Sequence, residues 1–322
     1  MRRLATFVFC FFLFAAAPVQ ASISKGRAAF KAGNYEEAME QWLPLAEIGH
    51  AKAAYLVSKL YREGLGVIRN EKLALQWETR SAEEGYAPAQ FQLSKHLFLG
   101  ESVDKNPSEG MKWLTLSAIG GHIKSQILLA KHLQNGADIV KDEKQSFVWI
   151  SAAAENGSQE AQSVLASFYE TGIGTPLNLA AARYWYNKAA DKNEPHAQFA
   201  LARLYLEGVH VAANPVLSLQ LLRKAAENNL PEAQTLLGQK YVQGDGVESD
   251  LLQAVDWLSR AALNGDLDGE KALISILAHA TPAENEHEDD DDDDGNIFKR
   301  DFAQFSNSVP FRAFIAKKNH KD

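Results

Sequence analysis

Apolar and polar positions along the chain return in the same order every 36 residues. Trp77, Trp113, Trp149, Trp185 and Trp257 keep this step, with Leu221 in the slot between the last two. A turn residue keeps it too: Gly49, Gly85, Gly121, Gly157, Asn193, Asn229 and Gly265. So does a small residue: Ala53, Ala89, Ser125, Ala161, Ala197, Ala233 and Gly269. Seven registers pass without insertion or deletion, the signature of stacked supersecondary units.

Each unit reads as two helices. Ala161, Leu165, Ala166 and Tyr169 recur at i, i+4, i+5 and i+8, one helical face with small residues where a neighbour must come close. The same face returns as Ala197, Leu201, Ala202 and Tyr205. This first helix stops at Gly64, Gly100, Gly136, Gly172, Gly208 or Gly244, suited to a left-handed helix end. The second helix is announced by Asn70, Asn106, Asp142, Asn178, Asn214 and Asp250, whose side chains can accept from first-turn amides. Glu109, Gln145 and Gln253 stand three residues on, near capping-box chemistry. The second helix is expected to bury its Trp, together with Ala74 and Ala82 or Ala182 and Ala190.

The string Ala161-x-x-x-Leu165-Ala166-x-x-Tyr169-x-x-Gly172-x-Gly174, followed by Ala182-x-x-Trp185-x-x-x-Ala189-Ala190, resembles the Sel-1-like repeat of the tetratricopeptide-like superfamily. The resemblance implies an all-α, right-handed superhelical solenoid of antiparallel helix pairs. It also implies an adaptor or scaffold role and no particular reaction. Residues 49–283 hold six full repeats and a partial seventh, and residues 22–48 resemble a degenerate opening hairpin in which Trp42 slips the register by one. Gly136-Ala137-Asp138-Ile139 and His210 depart from the Gly-x-Gly loop, so those two loops are expected to be distorted.

The flanks differ in kind. Arg2 and Arg3, an apolar run from Leu4 to Ala17, and the small residues Val19 and Ala21 read as a signal peptide over residues 1–21, cleaved after Ala21. That places the mature chain in the periplasm or outside the cell, with no stable membrane span after cleavage. Cys10 is the single cysteine of the 322 residues, so disulfides and cysteine-ligated metals are excluded from the mature chain. The net charge of −8 argues against a nucleic-acid partner. Residues 284–295 form an acidic linker with six consecutive Asp, expected to stay unfolded through like-charge repulsion. Residues 296–322 form a basic and aromatic tail, in which Phe298, Phe302 and Phe305 share one helical face. The partial seventh repeat leaves Leu273, Ile276 and Leu277 without a second helix, so this tail is a candidate cap.

No motif for catalysis, cofactor or metal emerges. G-x-S-x-G, H-E-x-x-H and the Walker loop are missing. Ser22-Ile23-Ser24-Lys25 matches S-x-x-K, but no Lys-Thr-Gly or Ser-Asp-Asn completes a β-lactam site. His96 and His132 recur one repeat apart, roughly 10 Å at normal helix spacing, too far for one metal ion. The reading is therefore a non-enzymatic exported scaffold. Envelope carbohydrate or peptidoglycan binding is the second reading, and a β-lactam-binding hydrolase the third.

The resemblance puts the first helices on the concave side. One position there, taken at a step of 36, gives Lys59, Lys95, Lys131, Ser167, Arg203 and Gln239. Four of the six are basic in an acidic protein, with Lys52, Arg62 and Lys124 close by. One turn earlier lie Tyr55, Phe91, Ile127 and Phe199, which offer apolar or stacking contact. The expected partner is a protein or peptide with an acidic segment; an ordinary solvated lysine face is the alternative. The chain's own Asp289–Asp294 run is a candidate, but extended chain from Glu284 reaches only roughly 35–40 Å along a groove of roughly 50 Å.

Overall fold

The computed structural model describes residues 21–136, 139–208, 211–280 and 308–319. The leader, the acidic run, Phe298, Phe302, Phe305, Ala137, Asp138 and His210 lie outside the described residues. The described residues are helical and arranged as successive pairs. The opening pair is α1 (Ile23–Lys31) and α2 (Tyr35–Glu47). Six repeats follow: α3 (Ala51–Glu63) with α4 (Glu71–Glu83), α5 (Ala87–Leu99) with α6 (Pro107–Ile119), and α7 (Ile123–Asn135) with α8 (Glu143–Glu155). Then come α9 (Gln159–Thr171) with α10 (Leu179–Ala190), α11 (Pro195–Glu207) with α12 (Pro215–Glu227), and α13 (Pro231–Gln243) with α14 (Leu251–Leu263). Helices α15 (Leu267–Ala280) and α16 (Val309–Asn319) complete the described chain. The fold is an all-α solenoid of helix pairs. It divides into two compact units between Ser125 and Gln126.

Local chemistry sets the helix ends. All six repeating Asn and Asp residues cap their second helices, accepting a backbone N–H three residues on at 2.9–3.1 Å. The capping-box partner of Asn106 is diverted: Glu109 accepts from Lys112 Nζ at 2.9 Å. Asn193 and Asn229 take φ +63°, the left-handed turn that glycine fills elsewhere. The second glycine of the Gly-x-Gly loop has a packing role at Gly66 and Gly174. A Cβ on Gly174 would lie 2.1 Å from the Glu143 carbonyl oxygen, where the loop presses on the start of α8. Gly66 meets the start of α2 in the same way, so the opening pair stacks as a repeat would.

Within a pair, the helices touch through two small residues sixteen positions apart. Ser146 Oγ donates to the Ala130 carbonyl at 2.9 Å, and Ser218 Oγ to Ala202 at 2.6 Å. Gly110 faces the Ser94 carbonyl and Gly238 the Ala254 carbonyl, each leaving room for 3.2 Å at most if a Cβ were added. Successive pairs are joined by buried glutamines, which the apolar pattern did not disclose. Gln90, Gln162 and Gln234 donate from Nε2 to the carbonyls of Ala82, Ala154 and Ala226 at 3.0–3.1 Å. These are last-turn carbonyls of the preceding second helix, which have no partner inside their own helix.

The tryptophans correct the expectation of a fully buried ladder. Trp77, Trp113, Trp149, Trp185 and Trp257 are half-buried, each with one side toward solvent. Basic groups three residues on cover three of them: Arg80 at 5.5 Å from the Trp77 ring centre, Lys188 at 4.6 Å from Trp185, Arg260 at 4.7 Å from Trp257. The amphipathic indole suits this position between core and water. Only Trp42 of the six is buried in full. Its Nε1 donates to the Ile23 carbonyl at 3.3 Å, and Gly26 admits the ring where a Cβ would come within 2.2 Å.

At the far end, α16 occupies the expected capping place. Phe311 and Phe314 are buried against Val255, Leu258, Ala262 and Leu273. Ser308 Oγ donates to Asp256 at 3.1 Å, and Lys317 Nζ to the Leu263 carbonyl at 3.0 Å. Replacing Phe311 and Phe314 together by Ser should therefore lower the unfolding free energy by about 3 kcal/mol or more, as loss of two buried rings requires; an unchanged denaturation midpoint would show that the cap contributes nothing. The loop contact has its own test. Gly174→Ala and Gly246→Ala both place a Cβ at positive φ, but Gly246 has open space around it. Gly246→Ala should cost about 1–2 kcal/mol from backbone conformation alone, and Gly174→Ala clearly more in the same denaturation assay.

Candidate functional site

The first helices of unit 1 carry the sequence-predicted face. Tyr55 and Lys59 stand one turn apart on α3, and Phe91 and Lys95 take the matching places on α5. Tyr55 is half-buried against Ala89 and Leu93 of α5, so neighbouring first helices lie side by side. Its ring pairs with Tyr86 at 5.4 Å between centres, and Phe91 pairs with His122 at 4.9 Å. Burial, then the Glu78 carboxylate, push the Tyr55 hydroxyl above its ordinary value. Burial, then Lys124, hold His122 below the usual imidazole value, so this ring is neutral at pH 7. Among the described residues, Lys59 and Lys95 have no ion-pair partner; Glu63, one turn beyond Lys59, makes no pair with it.

The ladder changes character in unit 2. Lys131 pairs with Glu160 at 3.0 Å, and Arg203 pairs with Glu170 at 2.8 Å. Both pairs bridge one first helix to the next, and both cations are thereby neutralised. Ile127 is buried in the core, and Phe199 packs half-buried against the Leu222 and Leu237 cluster. The periodic position therefore carries unpaired charge in unit 1 and internal ion pairs in unit 2.

Two second-helix positions break the apolar rule. Leu114, Ile150, Leu222 and Leu258 share one register and are buried, but Glu78 and Tyr186 hold the same slot in their repeats. Glu78 is 0% exposed. Arg62 Nη1 lies 2.7 Å from one of its oxygens and His96 Nε2 lies 3.3 Å from the other. Arg62 and Glu78 form an ion pair, and Arg62 Nε also donates to Glu71 Oε1 at 3.3 Å; Arg62 Nη2 and His96 Nδ1 are buried without a hydrogen-bond partner. Burial works to lower the Arg62 guanidinium, but Glu78 and Glu71 outweigh it and hold it above its usual value. In the second slot Tyr186 donates to Glu170 Oε2 at 2.6 Å, and burial, then Glu170, keep the phenol protonated. Sequence reasoning passed over both slots, although a Glu at a Leu register was visible in the alignment of repeats.

Of the two histidines after turn glycines, His50 caps its helix and His122 bonds a side chain. His50 Nδ1 accepts from the Ala53 N–H at 3.3 Å, and His122 Nδ1 contacts Ser125 Oγ at 2.9 Å. Ser22 likewise caps α1 and contacts Ser24 Oγ at 2.8 Å. Among the described residues, no group of three His, Cys, Asp or Glu is arranged to hold a metal ion, and no helix is long and apolar enough to cross a membrane. Surface clefts lie among the loops: one of about 680 Å³ is lined by Lys141, Asp142, Gly174 and Pro176, another of about 440 Å³ by Glu170, Arg183 and Leu204.

These features define a class: a helix-pair repeat protein whose polar specialisation lies on its first helices. The Sel1 repeat pattern matches residues 51–86, 87–122, 123–158, 159–194, 195–230 and 231–266. The chain belongs to the Sel1 repeat family. The crystal structure of a Sel1 repeat protein from Oxalobacter formigenes is similar, at 29% identity and TM-score 0.66, over 73% of this chain and 94% of that one. A second similar structure is a protective antigen present in uropathogenic Escherichia coli strains, with an SLR fold. It is 26% identical with TM-score 0.65; the match covers 87% of this chain but 61% of the antigen. No curated protein matches.

The buried charge cluster yields a prediction. Glu78→Ala leaves Arg62 on Glu71 alone and takes the carboxylate away from His96, and should cost about 1–3 kcal/mol. Leucine fills all three registers elsewhere in the chain, as Leu206, Leu222 and Leu204. The triple variant Arg62→Leu, Glu78→Leu, His96→Leu should therefore be as stable as the parent or more so in urea denaturation. A triple variant less stable than Glu78→Ala would contradict this account of the cluster.

Proposed function

We propose that the chain is an exported, non-enzymatic scaffold that binds an acidic segment of a protein or peptide partner on the first-helix face of unit 1, in the cell envelope. The observation that carries this reading is a segregation of charge. Among the described residues, the first helices α1, α3 and α5 hold six cations outside ion pairs, Lys25, Arg27, Lys31, Lys52, Lys59 and Lys95, against one carboxylate, Glu63, while Arg62 is held by Glu71 and Glu78. The second helices of the same unit, α2, α4 and α6, hold eight carboxylates against three cations. A surface of one sign attracts and orients a segment of the other, and an acidic protein that gathers its cations on one face gains selectivity from doing so. The leader-like residues 1–21 support the envelope as the compartment. The scaffold role agrees with the helix-pair repeat, in which each repeat contributes equivalent positions to one extended surface.

The ion pairs refine the test. Lys59→Glu with Lys95→Glu should abolish most partner capture from an envelope lysate, and raised salt should weaken capture by the parent protein. Lys131→Glu alone should have a smaller effect, since Glu160 already neutralises Lys131. Capture that survives the double reversal in a folded protein, at every salt concentration, would refute the assignment of the face.

A further inference from the structure

The two unpaired lysines do not stand alone. Each sits one helical turn from an aromatic pair: Lys59 with Tyr55–Tyr86, and Lys95 with Phe91–His122. The second group is the first one moved by one repeat, residue for residue. The matching positions in unit 2 hold Ile127 and Ser158, Ser163 and Glu194, Phe199 and Leu230, and Thr235 and Asp266. No aromatic pair recurs at those positions, and the cations there are held by Glu160 and Glu170. A lysine beside a half-exposed aromatic pair, occurring twice at one helix spacing, therefore distinguishes unit 1.

The spacing selects a conformation. Packed helices lie about 8–10 Å apart. A polyproline II segment turns once in three residues and rises about 9 Å in doing so. Side chains at i and i+3 of such a segment therefore face the same way and stand one repeat apart. A flat β-strand does not fit, because its i and i+3 side chains point to opposite faces. Aromatic-lined grooves are also the surfaces that dock polyproline II backbones, with prolines set against the rings.

We propose that unit 1 recognises a proline-containing acidic segment in polyproline II conformation, with carboxylates at i and i+3 on Lys59 and Lys95 and the intervening residues against Tyr55–Tyr86 and Phe91–His122. This rests on the acidic-partner reading above and narrows it to a periodicity. His122 is neutral at pH 7, so the second aromatic pair contacts the segment by stacking and leaves the charge to Lys95.

The test uses the full-length protein and three synthetic peptides of equal charge. (Asp-Pro-Pro)4 has the required spacing and conformation. A permuted peptide of the same composition places Asp at irregular intervals of two and four. (Asp-Gly-Gly)4 keeps the spacing without the conformation. By fluorescence anisotropy, (Asp-Pro-Pro)4 should bind at least ten-fold tighter than the permuted peptide and several-fold tighter than (Asp-Gly-Gly)4. Lys59→Ala and Lys95→Ala should each weaken it about ten-fold, and Lys131→Ala should leave it unchanged. Tyr55→Leu and Phe91→Leu keep apolar contact with the core and remove the rings; both should also weaken binding. Equal affinity for periodic and permuted peptides would overturn the proposal while leaving a merely electrostatic acidic-partner surface in place. Binding of none of the three, with envelope-partner capture still dependent on Lys59 and Lys95, would overturn the peptide periodicity alone. Binding of none, with capture independent of those lysines, would remove the acidic-partner reading as well.

Discussion

Two small residues, sixteen positions apart, fix how closely the helices of each pair approach. Ser94 and Gly110, Ala130 and Ser146, Ala202 and Ser218, and Gly238 and Ala254 are four versions of one contact. None has space for a larger side chain, because carbonyl oxygens of one helix lie against the other helix's small residue. Close approach sets the angle and distance at which the flanking leucines meet. Leu165, Leu201 and Leu237 are buried as a result. Ser146 and Ser218 are satisfied by the carbonyl they touch, and Ser94 by the Phe91 carbonyl of its own helix, so a polar residue there costs little.

The same economy of space governs polar groups between pairs. A glutamine from each new first helix reaches back to the last turn of the previous second helix, as Gln90, Gln162 and Gln234 do. Successive repeats are thereby joined by a directional bond as well as by apolar burial. Directionality matters in a repeat protein, because apolar contact alone would tolerate a slipped register. Glu78 and Tyr186 are different. Each places an ionisable group in a slot built for leucine, and each draws a charged residue of a first helix inward to meet it. Arg62 and Glu170 are consequently occupied with their own neighbours, which decides how much charge is left for the surface.

Much of the fold was legible in the sequence because its signals are backbone constraints. Caps such as Asn70 and Asp250, and left-handed turns such as Asn193 and Asn229, act within a few residues, so spacing alone exposes them. Recurrence was a weaker guide to environment. The tryptophans repeat faithfully, yet they sit half in solvent, because a period reports sameness and not depth. The buried glutamines also repeat at 36 residues, but a search for apolar registers passes over them. The candidate face was legible as residue types and not as charge state. Glu160 and Glu170 lie 29 and 33 residues from their partners, off the repeat step, so the pairing of Lys131 and Arg203 depends on the packing of neighbouring helices.

The docking of α16 has a consequence for the order in which the chain becomes native. Most contacts of the repeats link residues within one or two helices, so each pair can consolidate soon after it leaves the ribosome. The contacts of α16 join positions more than fifty residues apart, such as Ser308 with Asp256 and Lys317 with Leu263. Closing a long loop carries an entropic cost that local helix pairs avoid, and such contacts form late. The apolar end formed by Val255, Leu258 and Leu273 therefore waits for a distant segment. During that interval it is the part of the nascent protein most open to chaperones, proteases and unwanted association.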